Sequence, residues 1–312
     1  MKQPPLPSYE EYKEEYLNKG IHYPLKALKF DKKGILLSIG NTTTKSGWPW
    51  DEEVNPNSYD ENIAWPKITV VSPSFNQGIY LEETIRSVLM QNYPNIEYII
   101  MDGKSNDSSI DVLKQYDQWV SYWESEKDTG QSQAINKGFS LASGEIYCWL
   151  NSDDYYTKGA FHKVALAFLN SKVEFVYGNC LNLKDGIFTQ NIAPVVLDRY
   201  LPIPGIPQPS TFWRARIHQP VWEELHCTLD FELWMRLAKG ANKKRIHSFL
   251  SVARIHDEAK THNQDEKAQA RWKSDHAKQW SIHGPINWDR LNKENIIFQK
   301  ILRAIPILRR LF

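Results

Sequence analysis

An apolar run in YCWLNSDDYY, residues 147–156, ends on two adjacent acids, Asp153 and Asp154. A third acid, Asp102, ends a separate apolar run, IEYIIMD. Carboxylates in such places suit Mg2+ or Mn2+, hard cations that prefer oxygen ligands and often share their coordination shell with substrate phosphates. A diphosphate is the natural partner. A metal bridging its oxygens would neutralise the charge that builds on a departing nucleoside diphosphate. The structural alternative is that Asp153 or Asp154 caps the following helix, TKGAFHKVALAFLN, for which Thr157 is an equally able cap.

The elements that must hold these acids alternate in type. ITVVS after Lys67 is a β-branched strand pattern, YLEETIRSVLMQ has apolar residues at helical spacing, and IEYIIMD is a second strand. A helix near Ser109 to Tyr116, a strand around Trp119 to Trp123, a helix at QSQAINKGFSLA and a strand at EIYCWLN follow. Repeated βα units predict an α/β fold with a doubly wound, mainly parallel sheet and helices on both faces. Ligands of such sheets sit beyond the carboxyl ends of the strands. Asn151, Ser152, Asp153, Asp154 and Asp102 then all emerge at one mouth. Before this region, residues 1–64 are polar and Tyr-rich, and their one apolar piece, GILLSIG, reads as a short strand.

Composition narrows the class. The chain has 312 residues, 41% hydrophobic and 24% charged, with a formal net charge of +1. That balance argues against a dedicated nucleic-acid binder. Three cysteines, Cys148, Cys180 and Cys227, show no metal-ligand spacing, so a reducing, cytoplasmic location is expected. The N-terminus lacks the apolar stretch of a signal peptide, and no run approaches the roughly 20 apolar residues of a membrane span. No GxGxxG follows the first strand and no GxxxxGK[ST] occurs, which leaves a nucleotide to be bound some other way.

The ordered set VVSPSFNQGIYLEETIRSVLMQNYPNIEYIIMDGKSNDSS, GQSQAINKGFSLASGEIYCWLNSDD, QPSTFWR and LDFELWMRLA resembles a bacterial-type family 2 glycosyltransferase of GT-A fold, over roughly residues 67–260. The resemblance implies that Pro73, Ser74 and Phe75 wrap a nucleobase and that Asp102 hydrogen-bonds it, with Asp107 nearby as a helix cap. It implies Asp153 as metal ligand and Asp154 as the second. Asn151, in place of an acid, would contact ribose or water. Asn136 and Lys137 would approach the donor sugar and diphosphate, where relatives often carry an acid at the position of Gln133. A solvated helix face is the plain alternative for Lys137.

For the acceptor half the resemblance implies a base at Asp230 that takes the proton of the attacking hydroxyl, and N-capping of its helix is compatible with that role. Gln208 and Ser210 would face the sugar cleft, in a Pro-dense loop leading to an edge element. Trp213 and Trp234 are the tryptophans to consider for sugar stacking. His256 would be a last metal ligand or diphosphate contact, and Arg254 would neutralise a phosphate.

The expected organisation is an extension over 1–64, a glycosyltransferase domain over 65–260 with its nucleotide-sugar half at 65–185 and acceptor half at 186–260, and a helical tail over 261–312. In the tail, NIIFQKILRAIPILRRLF interleaves apolar residues with Lys300, Arg303, Arg309 and Arg310, with a kink at Pro306. Its two readings are a helix in a membrane interface, touching the inner face of the plasma membrane through 295–312, and a helix packed on protein. The function implied is inverting transfer from a nucleoside-diphosphate sugar, a UDP-sugar favoured, to a saccharide or lipid-linked glycan in surface polysaccharide assembly. The rivals are an inactive glycan- or nucleotide-binding module on the same fold, and a sugar-phosphate nucleotidyltransferase, whose Gly-rich basic loop is missing from SPSFNQG.

Overall fold

The computed structural model describes residues 3–29, 32–40, 44–257, 259 and 265–304. In chain order the elements are α1 (Tyr9–Asn18), α2 (Leu36–Ile39), β1 (Ile68–Ser74), α3 (Gly78–Leu89), β2 (Ile96–Asp102), α4 (Ser109–Tyr116), β3 (Tyr122–Ser125), α5 (Gln131–Leu141), β4 (Ile146–Trp149), β5 (Tyr155–Tyr156), α6 (Ala160–Phe168), β6 (Phe175–Lys184), β7 (Ile187–Asn191), β8 (Thr211–Arg214), α7 (Leu229–Leu237), β9 (Lys243–Arg254), α8 (Glu266–His283) and α9 (Trp288–Ala304). One sheet runs β3-β2-β1-β4-β8-β6-β9-β5, with β7 hairpinned onto β6. β3, β2, β1 and β4 are mutually parallel, while β8 is antiparallel to both neighbours.

Alternation along the parallel strands fills two layers. Val70, Ile100 and Cys148 face Leu81, Ile85 and Val88 of α3 and Phe161 of α6. Val71, Ile99 and Trp149 face Ala134, Ile135 and Phe139 of α5 and Leu233 and Trp234 of α7. Each buried aliphatic or aromatic side chain contributes roughly 1.5–3 kcal/mol relative to exposure. Strands covered on both faces read as continuous apolar runs, which is why β1, β2 and β4 were visible in sequence.

Three local expectations change. GILLSIG forms the short helix α2, because the Glu53 carboxylate accepts from the amides of Ile35 and Leu36, both at 2.9 Å, and caps its first turn. The strand expected from Trp119 begins at Tyr122, since Asp117–Trp119 continues as a 3-10 turn. β8 is an interior strand between β4 and β6, not an edge.

Residues before β1 bind to both layers. α1 lies on α5, with Tyr12 donating to Glu223 at 2.5 Å and Tyr16 to Glu124 at 2.7 Å. Trp213 donates to His218 Nδ1 at 3.1 Å, so the neutral ring, its pKa pulled down by burial to about 3, carries its proton on Nε2 and offers it to Tyr9 at 2.6 Å. On the other layer the Arg86 guanidinium donates to the carbonyls of Pro49 and Trp50 at 3.1 and 2.7 Å. The tyrosines that made this segment look polar are thus its attachment points.

After β9, α8 packs against the turn preceding α7, and α9 lies on residues 195–202 through Gln299, Phe298 and buried Leu302. The opposite side of α9 exposes Lys293, Ile296, Ile297, Lys300 and Ile301. Pro306, Arg309 and Arg310 lie outside the described residues, as does the side chain of Arg303. Among the described residues no helix is long and apolar enough to cross a membrane.

Candidate active site

The crevice is built from the carboxyl ends of β1, β2 and β4. Ser74 ends β1 in register with Asp102 at the end of β2, and Gly103 donates its amide to Ser74 O at 2.8 Å. Asp102 is buried and accepts three hydrogen bonds, from Ser105 N (2.8 Å), Ser105 Oγ (2.5 Å) and Ser125 Oγ (2.6 Å). A carboxylate has about four acceptor positions, so one remains for an N–H donor. Ser105 Oγ also accepts from Asn76 N at 2.7 Å, and Asn76 Oδ1 accepts from Asn106 N at 2.9 Å. These bonds lock the loops after β1 and β2 together. Pro73 is buried within β1, the Ser74 hydroxyl is buried without a partner among the described residues, and Phe75 stands 60% exposed beside them. The N-cap of α4 is Ser108, while Asp107, one residue earlier, accepts from Ser109 N at 3.0 Å and also holds the first residue of α3 through Gly78 N at 2.8 Å.

Beyond β4 the four residues 151–154 diverge in role. Asn151 accepts from Gln131 Nε2 at 2.8 Å and donates to Gln208 Oε1 at 3.3 Å, while Gln208 Nε2 returns to Trp149 O at 2.9 Å. Asn151, Gln131 and Gln208 form one amide network, in which Asn151 Nδ2 also reaches Asp154 Oδ2 at 3.5 Å. Asp153 directs Oδ2 at His256 Nε2, 3.1 Å away, and the His256 ring rests on Tyr80 with centroids 5.0 Å apart. Arg254 donates to the Asp153 carbonyl, pairs with Glu83 at 2.7 Å and lies over the Tyr155 ring at 4.6 Å.

Asp154, the second metal candidate, is turned inward. It is 5% exposed and its Oδ1 accepts from Arg254 N at 3.0 Å, tying the loop to β9. Burial first, and then the neighbouring Asp153 charge, raise its pKa well above the ordinary carboxylate value. Neither acid nor Thr157 caps α6. Its N-cap is Gly159, and the Thr157 hydroxyl donates to Phe249 O at 2.8 Å.

Asp230 stands in the first turn of α7, whose N-cap is Thr228, so the capping role expected for Asp230 falls two residues earlier. Burial raises its pKa above the usual carboxylate value. Trp234, one turn later on the same helix face, stacks on Trp149 with centroids 5.6 Å apart and planes at 20°. Trp149 ends β4, so Asp230 lies one helical turn from a side chain that contacts the carboxyl end of that strand.

Other candidates are corrected by their surroundings. Asn136 uses all four hydrogen-bonding positions inside the protein: Nδ2 donates to Val221 O (2.8 Å) and Glu223 (2.9 Å), and Oδ1 accepts from Val221 N (2.7 Å) and Tyr9 (3.3 Å). It fixes the loop before α7 and has nothing left for a donor sugar. Lys137 is 9% exposed and pairs with Glu15 at 3.5 Å, so it is neither a solvated residue nor a free cation. Ser210 is fully buried between Asn179 O (2.8 Å) and Ser251 Oγ (2.5 Å). Trp213 and Trp234 are core residues, 0% and 3% exposed, and offer no face to a sugar. Ser105, Ser125 and Gln131 are the site residues that sequence reasoning missed. A serine three residues beyond a strand-end acid was the only available sign.

Among the described residues no group of three His, Cys, Asp or Glu side chains could hold a metal by itself. The Asp153–His256 pair supplies one oxygen and one nitrogen at a partly exposed position. That fits a cation completing its shell with diphosphate oxygens and water, as Mg2+ commonly does.

Residues 69–219 match the family model described as glycosyl transferase family 2. A relative from Rickettsia felis named uncharacterized glycosyltransferase is 29% identical over 236 residues, 68% of this chain and 38% of its own. The Bacillus subtilis protein named putative teichuronic acid biosynthesis glycosyltransferase TuaG is 34% identical over 125 residues, covering 39% of this chain and 50% of its own. The chain therefore spans between 33% and 50% of the length of the first curated relatives it matches. Among solved structures, S. aureus TarS in complex with UDP-GlcNAc superposes with TM-score 0.52 at 17% identity, over 68% of this chain and 66% of that one. The mannosyltransferase PcManGT of Pyrobaculum calidifontis, in complex with GDP-Man and Mn2+, gives 0.51 at 16% identity, over 76% and 67%. These likenesses establish the GT-A glycosyltransferase fold.

Proposed function

Since residues 69–219 belong to glycosyl transferase family 2, we propose that the chain is an inverting, metal-assisted enzyme that moves a sugar from a nucleoside-diphosphate sugar to a saccharide or lipid-linked acceptor in surface polysaccharide assembly. The reading is supported by Asp102 at the end of β2, by the Asp153–His256 pair in the loop after β4, and by Asp230 one helical turn before Trp234, which stacks on Trp149 at the end of β4. The solved relatives hold UDP-GlcNAc and GDP-Man, which supports a nucleotide-sugar donor, and the name of the B. subtilis relative supports a cell-surface glycan.

In this account Asp102 accepts the imide N–H of the base while Ser105 and Ser125 hold its carboxylate in place, and Phe75 covers the ring. Asp153 and His256 would hold Mg2+ or Mn2+, which would supply charge neutralisation at the leaving diphosphate. The Asn151–Gln131–Gln208 amides meet ribose or sugar hydroxyls. Asp230 receives the proton of the acceptor hydroxyl as its oxygen attacks the anomeric carbon from the face opposite the diphosphate. A single displacement of this kind inverts the configuration. Burial raises the pKa of Asp230, which makes it a stronger base than an ordinary carboxylate.

Calorimetric titration with UDP, GDP and dTDP, in Mn2+ or in EDTA, tests the donor half directly. One nucleotide should bind more tightly with Mn2+, and Asp102→Asn should weaken it by about 10-fold or more, since removal of one good hydrogen bond to a charged group costs about 1.5–3 kcal/mol. Binding of none of the three, with the variant and wild-type indistinguishable, would reject it.

The exposed face of α9 carries Ile296, Ile297 and Ile301 around Lys293 and Lys300. That pattern supports peripheral contact with an anionic membrane surface. The chain should co-sediment with phosphatidylglycerol vesicles and not with phosphatidylcholine vesicles, and Ile297→Glu should release it. Equal behaviour with both lipids would exclude the contact.

A further inference from the structure

We propose that Asp275, on α8, is a positioning residue for Asp230, so that the helix beyond the family match belongs to the catalytic machinery. This rests on Asp230 being the base. Asp275 is fully buried, and a single oxygen, Oδ2, accepts from three successive amides, His226 N (2.9 Å), Cys227 N (2.7 Å) and Thr228 N (3.1 Å), and also from Thr228 Oγ1 (3.3 Å). Consecutive amides turned toward one anion make an anion-binding concavity, and the positive end of a helix adds to it. Here that concavity is the turn that starts α7, two residues before Asp230.

The ordinary way to begin such a helix is for Thr228 to cap it with its own hydroxyl. Thr228 makes no such cap, because its Oγ1 meets Asp275 and Gln279 Nε2, the latter at 2.8 Å. A buried carboxylate imported from a helix about 45 residues downstream is a costly substitute for a local hydroxyl, and it brings rigidity to the approach of α7. Four residues apart on α8, Asp275, Gln279 and His283 form one stripe. His283 Nε2 lies 3.0 Å from Glu232, which is itself buried and paired with Arg236 at 2.7 Å. The stripe therefore grips α7 on both sides of Asp230 in sequence, at Thr228 and at Glu232, over about 12 Å of α8.

The test uses the full chain, comparing Asp275→Asn and the milder Gln279→Met by amide exchange and by turnover of whichever nucleotide-sugar the wild-type consumes. Exchange at residues 226–231 should rise at least about 10-fold in Asp275→Asn while β1, β2 and β4 stay protected, because losing the charge that the three amides share weakens only the turn. The kcat should fall about 10- to 100-fold with the donor KM within about twofold, the signature of a displaced catalytic group. Gln279→Met should move both quantities in the same direction by less. In an Asp230→Asn background, Asp275→Asn should cost little further in kcat, since the two act as one unit. Wild-type exchange in Asp275→Asn, or a loosened turn with unchanged kcat, would overturn the proposal. Should the wild-type chain consume no donor at all, the role of Asp230 as base has failed, and the exchange result separately shows whether Asp275 holds the turn.

Discussion

Asp230→Asn should abolish transfer while leaving the folded chain as stable as before or more so. Positioned general bases contribute roughly 10²- to 10⁴-fold, so kcat should drop by about that factor, with the donor KM little changed. The stability half follows from the direction of the pKa shift. Burial raises the folded pKa of Asp230 above the usual 3.8. Between those two values the folded state binds more protons than the unfolded chain, so stability falls as pH rises through that window. Asparagine carries no such penalty. At pH 7 the variant should melt at the same temperature as wild-type or higher, and the gap should close as pH drops toward 4. For the wild-type enzyme, the acid limb of the kcat profile should lie above the ordinary carboxylate range, because the base works only when ionised. A profile flat from pH 4 to 8, or a variant with wild-type kcat, would remove Asp230 from the mechanism.

Asp153→Asn should be nearly as damaging for a different reason. The substitution keeps an oxygen facing His256 and removes the charge that holds a divalent cation. Loss of metal affinity should lower turnover by at least about 10²-fold at fixed Mn2+, partly restored by raising the metal concentration. Because Asp153 is only partly exposed and forms no backbone strap, its melting temperature should change little. Asp154→Asn should behave in the opposite sense. It keeps an oxygen for Arg254 N and removes a charge that burial penalises, so the melting temperature at pH 7 should be unchanged or higher and metal affinity should stay near that of wild-type. Equal metal response in the two variants would contradict the division of roles between the adjacent acids.

The strand-helix order from Ile68 to Phe168 was legible because strands buried on both faces announce themselves as apolar runs, and two of those runs end on Asp102 and on the turn holding Asp153. Local pattern does not say which of two adjacent carboxylates faces out. That was decided by Arg254, about 100 residues later, whose amide claims Asp154 and whose side chain claims the Asp153 carbonyl. Asn136 looked available for a sugar because its partners, Val221 and Glu223, lie 85 and 87 residues downstream. Trp213 and Trp234 sat in matched motifs, yet they pack on each other and on Trp149 at the centre of a layer. GILLSIG lost its strand character to Glu53, and the grip of α8 on α7 had no sequence sign, since a buried acid on an otherwise polar helix reads as a solvated one. The revisions at Asp154, Asn136, Ser210 and the two tryptophans came from contacts made across the chain, where periodicity carries no information.

The most direct measurement is nucleotide release by the purified chain across a panel of UDP-, GDP- and dTDP-sugars, in Mn2+ or EDTA, beside Asp153→Asn and Asp230→Asn. The account predicts release of one nucleotide, dependent on Mn2+ and lost in both variants. Release that survives EDTA and both substitutions, or nucleotide binding with no release from any donor even when bacterial lipid-linked glycans are supplied, would contradict it.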